Sequence, residues 1–192
     1  MKETIKLGLV LLLVTAIAGG VLAGVNSITG PVIAEREKME SLSAILELFP
    51  DANDSVEYDE AQVAEVANDN PAIREVTEVI DSGETIGYAM SVVTGGYAGD
   101  ITTLVGVNAD GTLAGIKVLV MSETAGLGSK IVDDPAFAES FQGKGAGGNV
   151  TASGAGAGDD EVMMLSGATV STNAVVRGVN EALDAFANNL SN

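Results

Sequence analysis

The sequence predicts an α+β fold: a single N-terminal transmembrane helix, followed by an antiparallel-sheet domain with flanking helices. Three observations predict it. A long apolar run opens the chain, alternating β-branched segments fill its middle, and an apolar stripe at helical spacing closes it. On this reading residues 1–27 are a membrane anchor, 28–70 a helical and acidic connector packed on the domain, and 71–192 the domain itself.

The opening run from Ile5 to Val25 is dominated by Leu, Val, Ile, Ala and Gly and carries no charge after Lys6. Twenty-one residues at about 1.5 Å each give roughly 31 Å of helix, close to the hydrocarbon thickness of a bilayer. Lys2 and Lys6 before it, and Ala16-Ile17-Ala18 within it, also suit a cleaved signal peptide. Retention is favoured, because the apolar run continues past that site and helix-like sequence follows from Ile28 to Phe49. Gly30-Pro31 interrupts the pattern, and Pro31 fits the first turn of a second helix ending near Pro50. Lys2 and Lys6 on one side nearly balance Arg36 and Lys38 on the other, so basic residues alone do not set the orientation.

Asp51 to Asn70 is acidic, with Ala61 to Ala67 weakly helical. Strands follow. Between Thr85 and Val93, Ile86, Tyr88, Met90 and Val92 fall on one face, as in a half-buried strand. Thr102–Val107 and Thr112–Val120 are apolar runs separated by Asn108-Ala109-Asp110-Gly111, where Asp-Gly signals a hairpin. Asp133 to Phe141 reads as a short capped helix that sends two phenylalanines to the core. Gly143 to Gly158 offers no periodicity and reads as a mobile loop. Finally Val176, Val179, Leu183, Phe186 and Leu190 recur at spacings of three and four, the apolar face of a terminal helix.

Composition narrows the chemistry. There is no Cys and no His, which excludes disulfides, Cys-ligated clusters, His-based metal sites and cofactors linked through either side chain. Nine basic against 27 acidic residues give a net charge of −18, a surface that repels nucleic acid and anionic headgroups. No nucleic-acid partner is expected, no metal site is predicted, and no catalytic side chain is assigned.

The stretch Ser166-Gly167-Ala168-Thr169-Val170-Ser171-Thr172 joins small residues and hydroxyls to the start of the terminal helix. A helix start offers unpaired N–H groups and the positive end of a dipole, which suits a phosphate. Taken alone, the run is equally an ordinary N-cap at Ser171 or Thr172. Two other glycine-bearing loops accompany it. Gly95-Gly96-Tyr97-Ala98-Gly99-Asp100 lets a backbone approach a flat ligand on which Tyr97 can stack, or is simply an inter-strand connection. Glu123-Thr124-Ala125-Gly126-Leu127-Gly128 presents a carboxylate and a hydroxyl, with Glu123 better suited to fixing the loop than to acid–base work.

Ser166 to Thr172 resembles the flavinylation motif of membrane redox complexes, in which the threonine after alanine carries FMN through a phosphodiester. Glu123 to Gly128 resembles the E-T-P-G-L-G loop of the same family, with Ala125 in place of proline. Met163 stands where members often have aspartate. Together with the anchor and the β-rich domain, these motifs resemble the G subunit of the Rnf ion-translocating electron-transport complex, whose FMN-binding domain is shared with the C subunit of the sodium-pumping NADH:quinone reductase. The resemblance implies one covalent FMN on Thr169, with Ser166, Gly167, Ala168, Ser171, Glu123, Thr124, Gly126, Leu127, Gly128, Gly96 and Tyr97 around it.

It further implies an electron relay within a complex that couples ferredoxin:NAD oxidoreduction to ion movement. The implied partners are the other membrane and peripheral subunits, a flavin transferase that donates from FAD, and the lipid bilayer. The implied location is the inner membrane, crossed once, with residues 71–192 as an FMN-binding domain outside the cytoplasm. A free-standing anchored flavin reductase and a non-redox anchored binding module are the alternatives.

Overall fold

The computed structural model describes residues 2–191 and divides into two units between Glu40 and Ser41. Helix α1, Lys2–Leu48, contributes to both. In the first unit its large apolar side chains from Ile5 to Ile33 are exposed on every side, and the few polar ones, Lys6, Thr15, Asn26, Ser27 and Thr29, form no separate face. A helix of that character is suited to lipid rather than to a water-facing surface, and it is long and apolar enough to cross a bilayer. Contrary to the break expected at Gly30-Pro31, the helix continues through Pro31. One proline removes a single N–H and crowds one carbonyl, a local loss that apolar helices tolerate when the flanking turns hold.

The second unit is built on a five-stranded antiparallel sheet whose strands neighbour one another in chain order. They are β1 (Asp54–Glu57), β2 (Ile73–Asp81), β3 (Glu84–Gly95), β4 (Asp100–Asn108) and β5 (Leu113–Val120). Helix α2, Glu60–Val66, sits between β1 and β2. Asp59 starts it by accepting from Ala61 and Gln62 N–H while the Gln62 side chain returns to the Asp59 N–H, a reciprocal cap. The β2–β3 turn places Ser82 (φ 52°) and Gly83 (φ 85°) in the left-handed region, as a tight type I′ hairpin requires. At the expected Asp-Gly hairpin only Gly111 turns left-handed (φ 86°). Asp110 keeps a negative φ and accepts from the Thr112 N–H and hydroxyl, and Gly111 N–H donates to the Asn108 carbonyl, so the connection is a turn closed by a glycine bulge.

Tyr88, Met90 and Val92 of β3 face one core with Val76, Val105, Val107 and the last long helix, α5 (Thr169–Ala185). That strand is not half-buried as its alternation suggested. On its opposite face Ala89 is also enclosed, with Val79 and Leu104, by Ala44, Ile45 and Phe49 at the end of α1. Three glycines make room there. A Cβ on Gly87 would come within 2.7 Å of the Phe49 ring, one on Gly106 within 3.0 Å of it, and one on Gly115 within 3.0 Å of Leu48. Glycines on three adjacent strands thus form the floor on which Phe49 and Leu48 lie.

After β5 come α3 (Lys130–Asp133) and α4 (Pro135–Glu139), the latter capped by Asp134. Phe137 and Phe141 are fully buried and meet edge to face at 5.2 Å. Burial of such a side chain is worth about 1.5–3 kcal/mol. The glycine-rich segment after them is ordered, not the mobile loop expected. It forms β6 (Thr151–Ala152), paired in parallel with β7 (Glu161–Val162). The Asn180 side chain holds it by bonding both the N–H and the carbonyl of Val150. These tethers are long-range and leave no local periodicity. A π-helical turn, Phe186–Leu190, follows α5.

Candidate functional site

In an antiparallel meander the β3–β4 turn and the exit from β5 lie at the same end of the sheet. Helix α5 brings a third segment there. It runs opposite to β3: Phe186 lies 6.0 Å from Tyr88, whereas Gly178 lies over Val92 and Thr94, and Arg177 bonds the carbonyl of Gly95. Its first residue, Thr169, therefore reaches the end occupied by the two loops. The three segments enclose a cleft of about 280 Å³ lined by Tyr97, Glu123, Thr124, Leu127, Gly128, and Gly167 through Ser171.

Glu123 joins the segments. One oxygen accepts from the Tyr97 and Ala98 N–H groups at 2.8 and 3.1 Å, and the other from the Ser171 hydroxyl at 2.7 Å. Partial burial pushes its pKa up, but the combined hydrogen bonds from Ser171, Ala98, Tyr97 and Gly99 outweigh this and hold it below the usual value. The carboxylate is committed as an acceptor. Glycine is needed on both sides of it: a Cβ on Gly96 would fall on one Glu123 oxygen, and one on Gly128 would fall on the other and lie 2.7 Å from the Ser171 hydroxyl.

The 123–128 loop keeps a defined shape without proline at Ala125. The Thr124 carbonyl accepts from the Leu127 and Ser129 N–H groups, and the Ser129 hydroxyl accepts from Gly126 N–H while donating to Asp133. Gly167 has φ 81° within a turn closed by Ala168 N–H to the Leu165 carbonyl, the position a type II turn gives to glycine. That turn delivers the chain into α5, whose N-cap is Ala168 with no side-chain cap.

The possibility of Ser171 or Thr172 as N-cap is thereby removed, since both lie inside the first turn. Ser171 is buried and bound to Glu123; Thr172 is buried, and its hydroxyl has no hydrogen-bond partner among the described residues. Thr169 differs from both. Its side chain is exposed on the cleft, beside helix N–H groups that no side chain satisfies.

Of the residues singled out from the sequence, Ser166, Gly126 and Gly96 do not line the cleft. Ser166 borders a second, outer cavity of about 680 Å³ with Lys130, Asp133 and Asp134, and Gly96 lies beneath Glu123. Sequence reasoning missed Val170, Ser129 and Asp133. The i, i+4 spacing of the last two, across the start and end of α3, was their available signal.

A phosphorylated planar ligand fits these residues. The volume lies just below the ~300–1,000 Å³ of typical small-molecule clefts, so part of such a ligand remains at the surface. Tyr97 and Leu127, 75% and 51% exposed, provide an aromatic and an apolar wall, and the uncapped start of α5 suits an anion.

Comparison with known proteins agrees. Residues 96–184 match the FMN-binding domain family, and residues 1–48 match the RnfG N-terminal region. Fold and cleft thus define a membrane-anchored FMN-binding protein. The chain is 31% identical to the G subunit of the Na(+)-translocating ferredoxin:NAD(+) oxidoreductase complex of Acetobacterium woodii, over 97% of its own length and 93% of that protein. It is 29% identical to the G subunit of the ion-translocating oxidoreductase complex of Methanosarcina acetivorans, over 95% and 94%. It belongs to the G-subunit family of Rnf-type ion-translocating oxidoreductase complexes.

Among solved structures, NqrC of Shewanella oneidensis matches with a TM-score of 0.50 and 26% identity, over 59% of this chain and 57% of that one. The C subunit of the Na(+)-translocating NADH-quinone reductase from Parabacteroides distasonis shares the fold, with a TM-score of 0.51 at 22% identity over 71% and 76%.

Proposed function

We propose that the chain is an electron-relay subunit carrying one FMN, joined to Thr169 by a phosphodiester bond. The observation that carries this reading is the contrast among the hydroxyls at the start of α5: Ser171 and Thr172 are buried, and Thr169 opens onto the cleft. When bound, FMN supplies the electron-accepting and electron-donating chemistry. The protein's residues bind and orient it. Helix N–H groups at Thr169 to Ser171 would hold the phosphate and Tyr97 and Leu127 would contact the ring, while Glu123 fixes the three segments without exchanging a proton.

The relay serves a complex that passes electrons from ferredoxin to NAD while moving ions, with neighbouring subunits as donor and acceptor. A flavin transferase installs the group. Residues 1–27 cross the inner membrane once, residues 28–70 connect, and the FMN-binding domain at 71–192 lies outside the cytoplasm. A tethered cofactor suits that location, where a dissociating one is not readily replaced.

Intact mass and peptide mapping of the natively produced chain test the assignment. The expected result is a flavin phosphate adduct on the peptide containing Thr169, lost in Thr169→Ala and partly kept in Thr169→Ser. A fluorescent band from Thr169→Ala that survives denaturing electrophoresis overturns it.

A further inference from the structure

We propose that Lys130 binds the phosphate through which the flavin is joined to Thr169. The proposal rests on the reading of Thr169 given above and adds a residue that the cleft lining does not include. Lys130 opens α3, immediately after the loop that carries Glu123 and Leu127. Its ammonium group donates to the Ser166 carbonyl at 2.9 Å. It also lies 4.0 Å from where a Cβ on Gly167 would stand, which places the charge against the turn two residues before Thr169.

An ammonium has three donors, and the Ser166 carbonyl uses one of them. Among the described residues no carboxylate lies within ion-pair distance of Lys130, although Asp133 and Asp134 border the same outer cavity. Two donors and a full positive charge are therefore free beside the motif turn.

Charge balance shows why they matter. Within the cleft lining Glu123 is the sole charged side chain, and it is negative. The chain as a whole carries −18. A phosphate placed there meets repulsion that the partial positive charge of one helix end offsets only in part. Lys130 is the cation positioned to supply the remainder, through charge-assisted hydrogen bonds. The Gly167 turn keeps the approach free of a side chain.

The test separates phosphate binding from loop support. FMN and riboflavin are titrated by fluorescence quenching into the full chain carrying Thr169→Ala, and into the same chain with Lys130→Met or Lys130→Arg added. The expected result is about a tenfold preference for FMN, abolished by Lys130→Met, kept by Lys130→Arg, and weakened by salt, with riboflavin affinity unchanged throughout. A preference that survives Lys130→Met, or an equal loss for both ligands, overturns the proposal.

If neither ligand binds once Thr169 is gone, the variants are scored with Thr169 restored, by intact mass in cells that contain a flavin transferase. Slow loading of Lys130→Met with recovery in Lys130→Arg supports the role. Equal loading of wild type and Lys130→Met, or equal loss in both variants, overturns it. The attachment reading fails separately, on a flavin peptide that maps away from Thr169.

Discussion

Glu123 is the residue on which the site's geometry converges, because one carboxylate satisfies two backbone N–H groups and the Ser171 hydroxyl. Replacing it with Ala leaves those donors unpaired and is expected to cost about 1–3 kcal/mol, read as a lower thermal midpoint. The sign of the pH dependence follows from the depressed pKa. A carboxylate whose folded pKa lies below its unfolded value adds stability that is complete above the unfolded pKa, near 4.3, and disappears as pH falls through the folded one. The gap in melting temperature between wild type and Glu123→Gln is therefore expected to be constant from about pH 6 to 8 and to narrow as pH falls below the unfolded value toward the lower folded one. A gap that persists at low pH contradicts this. At this scale the position of Thr169 at a helix start was visible in the sequence because the stretch around it is contiguous. Lys130 was not, because its partner at Ser166 is fixed only when loops and helices assemble.

Among the elements, the end of α1 and the glycine floor are the most sensitive pair. Phe49→Ala removes a buried ring from the sheet face and is expected to destabilise by about 3–5 kcal/mol in denaturant unfolding. Gly106→Val fills the space beneath that ring and is expected to cost about 1–3 kcal/mol through overpacking. The substitution Gly178→Leu tests the other face, since even a Cβ there would lie 2.9 Å from Val92. The central hairpin and helix α4 were legible because turn residues, a capping Asp-Pro and apolar spacing are local signals. The second cover on β3 was not, because nothing in an alternating strand tells whether its less apolar face meets water or another helix. The β6–β7 pair was illegible for a similar reason: its order comes from Asn180, thirty residues from Val150.

For the molecule as a whole, charge outweighs any single contact. A net charge of −18 over 192 residues implies self-repulsion that added salt screens. The melting temperature of the detergent-solubilised chain is expected to rise by several degrees as salt increases from low to physiological strength, about 2–4 °C per kcal/mol recovered. An unchanged midpoint excludes that repulsion as a main cost. The general plan, one apolar helix and a β-rich domain, was readable from hydropathy alone. The continuity of α1 through Pro31 was not, because a proline marks both helix starts and tolerated interior positions with the same letter. The outward-facing side chain of Thr169 has a last consequence, for maturation. On the proposed attachment, a modifying enzyme would meet a finished protein and need no door opened in it, so synthesis and pigmentation would be separable events: a colourless pool, made when the vitamin is scarce, would stay competent to be dyed later.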